Sequence, residues 1–207
     1  MNDKFFELSE EKQMKIVNAA MEIFGQNDYR HAVTDDIAAK AGISKGLLFH
    51  YFENKKGLYM YVYHYCLDIM VQMIKEQDYK KIDDFFELME YGANQKIEII
   101  MKNPYIMDFV VRAFYSQKEA VSEDINLDMQ KQMAFSYQRY FSHINLSKFK
   151  DDIDPEYVYH MMQWMVDGYM HSKQSLHLPL QLDDMMKEFR QWKKMMKAMV
   201  YKEEYQE

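Results

Sequence analysis

Four adjacent acidic pairs, Asp35-Asp36, Asp83-Asp84, Asp151-Asp152 and Asp183-Asp184, are the most obvious candidates for acid–base or metal chemistry. Each pair falls near an expected helix start, where a carboxylate satisfies free amides and meets the positive end of the helix dipole. Capping therefore accounts for all four without catalysis. His160, Asp167 and His171 are spaced by seven and four residues and share one helix face. That spacing admits a metal ion, but a hydrogen-bonded or solvent-facing set satisfies it as well. The chain has no His-Glu-x-x-His, no Glu-x-x-His pair and no Gly-rich phosphate loop. Cys66 is the single cysteine, so it has no internal disulfide partner and no resolving thiol, and it reads as an inert buried group in a reducing compartment. No catalytic residue, metal or cofactor is expected.

The stretch from Thr34 to Lys56, TDDIAAKAGISKGLLFHYFENKK, suggests a different chemistry. Two short helical segments flank a Gly42-Ile43 turn. Ala38, Ala39 and Ala41 allow the helices to cross closely, and Ile37, Ile43, Leu48 and Phe52 supply an apolar inner face. This is a helix-turn-helix, whose second helix has the size to enter a DNA major groove about 12 Å wide. With Leu48 and Phe52 inward, Gly46 and His50 point outward, flanked by Lys45 and Phe49 on one side and Leu47 and Tyr51 on the other. Gly46 permits close backbone approach. Ser44 and its neighbouring amides form a helix N-terminus able to hold a phosphate. Lys55 and Lys56 are suited to gripping another phosphate at the far end, and the Thr34 hydroxyl or amide offers the same from the preceding helix. Phe49 suits a thymine methyl; His50 or Tyr51 suits a base edge or a phosphate.

These residues must be positioned by helices. Only 3 Pro and 6 Gly interrupt a chain of 207 residues that holds 20 Met, 17 Tyr and 13 Phe, a composition that points to an all-α protein. Nine helices are expected. The first is capped by Ser9, carries Met14, Val17, Met21 and Phe24 on one stripe, and ends at Gly25–Asn27 with a left-handed residue. Thr34 caps the second and Ser44 the third, Lys45–Phe52. The others run over about 56–77, 83–102, 104–116, 123–144, 155–175 and 181–203, with Pro104 and Pro155 at helix starts and Pro179 in a connection. The longest apolar run, Tyr59–Ile74, carries His64, Asp68 and Gln72 and is too short for a membrane span of ~20 residues. No leader peptide is visible, so a cytoplasmic protein with no membrane partner is expected.

The net charge of −7 argues against a polyanionic partner only until its distribution is considered. Residues 1–60 carry 8 Lys/Arg and 9 Asp/Glu, whereas residues 61–207 carry 18 and 24. Within Lys40–Lys56, four lysines face only Glu53. A basic stripe on an acidic body fits a DNA reader joined to a separate sensor. A helical protein-interaction adaptor is the alternative.

Ile16–Phe24, together with the run from Asp35 through "AGISKG" to "HYFENK", resembles the DNA-binding domain of the tetracycline-repressor (TetR) family. The resemblance covers roughly residues 12–62. It implies an all-α homodimeric regulator with a variable ligand-binding domain, paired through its last two helices. It also implies DNA contacts at Thr34, Lys45, Gly46, Phe49, Tyr51 and Lys55. Three positions depart from the family pattern: Phe49 replaces a common Tyr, Leu47 a common Thr or Ser, and Asp28 the usual Gly before Tyr29.

On this reading residues 1–55 form the helix-turn-helix domain, and 56–207, beginning with a connecting helix, form the ligand-binding and dimerisation domain. Met89, Ala93, Ile97 and Ile100, then Met133, Tyr137 and Tyr140, then Val158, Met161 and Met165, form inward stripes. Met89, Phe114, Met133, Tyr137, Met161 and Met165 are the candidate lining for a small lipophilic effector, because methionine adapts to irregular shapes and tyrosine adds a polar tip. Trp164, Gly168, Leu182, Met185, Phe189 and Met196 are the candidate dimer contacts. The expected function is a repressor released from a palindromic operator by that effector.

Overall fold

The computed structural model describes residues 3–72, 76–103, 105–115, 120–176 and 178–206; the side chains of 70–72, 76, 77, 114, 115, 129, 130 and 132–135 are not among those described. Among the described residues there are ten α-helices and no strand, apart from one isolated bridge between Phe149 and Tyr201. The helices are α1 (Glu10–Gln26), α2 (Thr34–Ala41), α3 (Lys45–Phe52), α4 (Lys55–Gln72), α5 (Glu76–Tyr79), α6 (Phe85–Lys102), α7 (Ile106–Tyr115), α8 (Ser122–Phe141), α9 (Pro155–Ser175) and α10 (Leu182–Val200). The tenth helix relative to the expected nine is the single turn α5. Asp154 caps α9 and Pro155 opens it, as its fixed φ favours. The Pro104 expectation lies outside the described residues.

Contacts divide the chain into two compact units, one of residues 1–73 and 99–130, the other of residues 74–98 and 131–207. This grouping follows packing and does not coincide with the 55/56 boundary drawn from the sequence, because α4 and α7 pack directly on the helix-turn-helix elements.

In the first unit α1 is the hub, packing on α2, α4 and α7. Its stripe buries Val17, Met21 and Phe24 as its spacing requires. The expected left-handed end is not there: Asn27 is extended, and Gly25 is still helical. Gly25 serves close packing instead. A Cβ added there would lie 3.0 Å from the Phe109 amide nitrogen, where α7 crosses, and Arg112 donates from Nε to the Gly25 carbonyl at 2.9 Å. The four alternate tyrosines of α4 scatter as a helix must scatter them. Tyr59 meets Phe24, Tyr29 and Phe109, Tyr63 is buried, and Tyr61 packs on Phe5 and Phe52.

The second unit centres on Phe85, Phe86, Phe141, Phe149, Met162, Phe189 and Tyr201. Asp84 caps α6, accepting from the amides of Phe86 and Glu87, and its other oxygen takes the Lys148 ammonium at 3.0 Å. Burial pushes the Asp84 carboxyl up, but those hydrogen bonds outweigh it and hold it below the ordinary range. Asp35, Asp36, Asp183 and Asp184 occupy first helical turns. Asp151-Asp152 does not: it lies in a turn, and the cap of the following helix is Asp154.

Candidate nucleic-acid interface

Helix α3 begins where Ser44 takes an extended conformation and its Oγ accepts from the Leu47 amide at 3.1 Å. The Ser44 carbonyl takes the Leu48 amide, leaving the amides of Lys45 and Gly46 as outward donors of the helix start. Gly42 closes α2 with φ 72° and ψ 31°, a left-handed turn that glycine adopts without strain. The turn and the cap together fix the angle at which α3 leaves α2.

Leu48 and Phe52 are fully buried, while Ser44, Lys45, Gly46, Leu47 and His50 are exposed and Phe49 is half-buried. That is the inside-out division read from the sequence, with two corrections. Tyr51, expected on the exposed flank beside Leu47, is only 6% exposed, and its ring packs edge-on against Phe5 at 5.8 Å. Thr34 does not cap α2. The cap position is Val33, and Thr34 follows as a buried first-turn residue.

The Tyr51 correction comes from a neighbour that the helix-turn-helix spacing did not reveal. Phe5, in a 3-10 turn at Asp3–Phe5, is fully buried and meets Tyr51, Phe52 and Tyr61 with ring centroids 4.9–5.8 Å apart. An aromatic segment before α1 thus supports α3 from behind. The only hint was the Phe5-Phe6 pair ahead of the first cap.

The end of α3 is equally constrained. Glu53 has φ 66° and ψ −52°, and the Asn54 amide donates to the Phe52 carbonyl at 2.7 Å, a tight γ-turn that is strained for a residue with a side chain. Asn54 then caps α4, its Oδ1 taking the Gly57 amide at 2.9 Å. Gly57 is obligatory at this corner, since a Cβ there would lie 2.2 Å from the Phe52 carbonyl oxygen.

The basic side chains of this face have intramolecular partners. Lys45 Nζ is 2.7 Å from Asp35 Oδ2, with both groups well exposed. Lys40 pairs with Glu22 at 2.8 Å, and Lys56 pairs with Asp124 of α8 at 2.6 Å. Lys55 donates to the Arg30 carbonyl and lies over the Tyr29 ring. At the unusual position before Tyr29, the Asp28 carboxylate accepts from the His31 amide and meets the His31 ring, which replaces a glycine turn by a side-chain turn.

The profile of the bacterial regulatory proteins of the tetR family matches residues 16–62, which include α2, α3 and the first turns of α4. Its helix-turn-helix segment is that of the TetR family. Among curated relatives, the fatty acid metabolism regulator protein of Bacillus subtilis is 32% identical over 85 residues, 41% of this chain and 36% of that protein. The transcriptional activator FasR of Mycolicibacterium smegmatis is 28% identical over 114 residues, 50% of this chain and 52% of that protein. The matched part spans about half or less of these curated relatives. A TetR family regulator from Chloroflexus aurantiacus superposes with a TM-score of 0.68 at 18% identity, covering 97% of this chain and 98% of that one. FadR from Bacillus subtilis, solved in complex with stearoyl-CoA, gives 0.65 at 15% identity, covering 88% and 96%. These neighbours share the all-α fold.

In the second unit, Met89 is buried and Tyr137, Met161 and Met165 are half-buried; the side chains of Phe114 and Met133 are not among those described. The α9 stripe is shifted by one position from the sequence reading: Met162, not Met161, is fully in the core beside Val158. Of the expected dimer contacts, Trp164 and Gly168 are exposed, and Leu182 and Met185 are half-buried. Phe189 and Met196 are core residues of their own unit and are not available to a partner. Tyr157, Met195 and Met199, outside the expected set, are 56–62% exposed. Among the described residues no group of three or more His, Cys, Asp or Glu is gathered to hold a metal. Burial pushes the Cys66 thiol up to about 12, which leaves it unreactive as a nucleophile. No described helix is long and apolar enough to cross a membrane.

Proposed function

We propose that this protein is a cytoplasmic, sequence-specific DNA-binding transcription regulator that recognises a palindromic operator as a homodimer and is released by a small lipophilic ligand. The observation that carries this reading is the outward N-terminal face of α3, Ser44–His50, held by a side-chain cap in front and by buried Leu48 and Phe52 behind. Ser44 and the amides of Lys45, Gly46 and Thr34 suit phosphate, as does Lys55 at the far end. Leu47, Phe49 and His50 suit base edges and thymine methyls. Phe49 lacks the hydroxyl of the tyrosine common in the family, so its contact is apolar.

Residues 1–55 carry the reading function in this proposal, and 56–207 carry ligand response and pairing. Trp164, Gly168, Leu182 and Met185 remain dimer contacts, joined by Tyr157, Met195 and Met199 and without Phe189 or Met196. The two reading helices of a dimer must lie about 34 Å apart to enter successive major grooves. A ligand that prefers a dimer with another spacing lowers DNA affinity by its differential affinity for the two states. Met89, Tyr137, Met161 and Met165 are the proposed lining within the second unit. The stearoyl-CoA held by the related fold supports an acyl compound as the ligand class.

Selection of bound sequences from random duplex DNA tests the function directly. A reproducible palindrome is expected, and Lys45→Ala combined with His50→Ala should abolish preference for it in a folded dimer. Failure to enrich any sequence would favour the helical adaptor.

A further inference from the structure

We infer that Asp124 is a built-in competitor for DNA phosphate: it holds Lys56, the lysine that closes the reading segment, and so sets DNA affinity below what the basic stripe alone would give. The inference rests on the DNA-binding reading and adds a control element to it. Lys56 is the last cation of the run Lys40–Lys56 and stands in the first turn of α4, directly after the γ-turn that ends α3. Its ammonium lies 2.6 Å from Asp124 Oδ2, each side chain about half exposed, so the pair is formed at the surface where a phosphate could take the place of the carboxylate.

The acid reaches this position because α8 is held along α4 at a second point one turn further on. Asp128, four residues after Asp124, places its Oδ2 3.8 Å from His64 Nδ1 on α4. Two carboxylates spaced i, i+4 on α8 therefore face α4 together. Asp124 comes from outside the helix-turn-helix, 68 residues beyond Lys56 in sequence. The adjacent Lys55 is held differently: it donates to the Arg30 carbonyl and lies over the Tyr29 ring. At Lys56, by contrast, DNA must displace a carboxylate that then remains near the duplex.

The test uses full-length protein and a short random-sequence duplex at low salt, with affinity read by fluorescence anisotropy. Asp124→Asn keeps the shape and removes the competing charge. A gain of about twofold to fivefold is expected, the range of a surface ion pair. The salt dependence should steepen by up to ~0.9 log units per log salt, one phosphate's worth. In a Lys56→Gln background the gain from Asp124→Asn should vanish. An equal gain in both backgrounds would mean that Asp124 acts only by general repulsion and would overturn the inference, as would no gain or a loss in the single variant. Asp124→Ser, which removes the charge with a different side chain, must agree in sign. If folded wild-type protein binds no duplex at all, the DNA-binding reading fails and this inference fails with it.

Discussion

Replacing Gly46 by alanine separates what folds α3 from what α3 does. A Cβ built on Gly46 meets nothing closer than Ser44 Oγ at 3.9 Å, so the protein itself does not require glycine there. Glycine inside a helix costs about 0.5–1 kcal/mol relative to alanine because its unfolded backbone is freer. Gly46→Ala should therefore stabilise the fold by up to that amount, a rise of about 1–4 °C in midpoint for a chain of this size. DNA binding should move the other way. The exposed Gly46 lies between the Ser44 cap and Leu47, at the helix start proposed to approach a phosphate through its amides. A methyl inserted into a close contact costs about 1–3 kcal/mol, which corresponds to roughly fivefold to 150-fold weaker binding. Differential scanning calorimetry reads the first effect, and anisotropy with the selected duplex reads the second. Binding within twofold of wild type would show that the backbone does not approach DNA at Gly46. A lower midpoint would show that the position is not open space.

Phe5→Ala should cost about 3–5 kcal/mol in urea unfolding, because a fully buried ring with four aromatic neighbours would be lost; a cost below about 1 kcal/mol would mean the amino-terminal turn does not support α3. Gly57→Ala forces a Cβ to 2.2 Å from a backbone oxygen, so a loss of more than about 2 kcal/mol is expected, and a neutral result would refute the tightness of the corner. The Asp84 carboxyl is held below its ordinary value in the folded chain, so its stabilising share is present above the unfolded pKa of about 3.9 and is lost as pH falls through the lower folded value. Urea midpoints of wild type and Asp84→Asn should accordingly converge as pH drops below about 4, and parallel curves would count against the Lys148–Asp84 pair.

How much the sequence disclosed depended on the range of the interactions involved. The register of α3 was legible because Leu48 and Phe52 recur at a helical spacing and Ser44 is a capping residue, all local facts. Tyr51 was misplaced for the opposite reason. Its burial is decided by Phe5, 46 residues earlier, and no periodicity within α3 reports an aromatic arriving from another segment. Gly25 shows the same limit: as a local signal it reads as a helix terminator, but α7 crossing at that point gives it a packing role. Phe189 and Met196 were assigned to a partner surface although both close the core of their own unit. An amphipathic helix shows which of its residues are apolar, not which apolar residues meet their own chain and which meet another.

The pairing of the lysines bears on how a protein of net charge −7 can read DNA. Lys40, Lys45 and Lys56 are each matched by a carboxylate at 2.6–2.8 Å, so much of the positive field expected from the stripe is cancelled before DNA arrives. Long-range attraction, which builds nonspecific affinity and rapid sliding, is correspondingly weak. On the proposed reading, affinity comes instead from contacts made at close range: the amides at the start of α3, the open approach over Gly46, and Leu47, Phe49 and His50 as the proposed base contacts. Such contacts discriminate between sequences better than bulk charge does. In this design the internal acids lower binding everywhere by a similar factor, while the operator alone restores it through fit. Neutralising Asp124 should therefore strengthen binding to random duplex and to the selected palindrome by a similar factor, leaving the ratio between them nearly unchanged. A variant that improved the palindrome alone would contradict this division between field and fit.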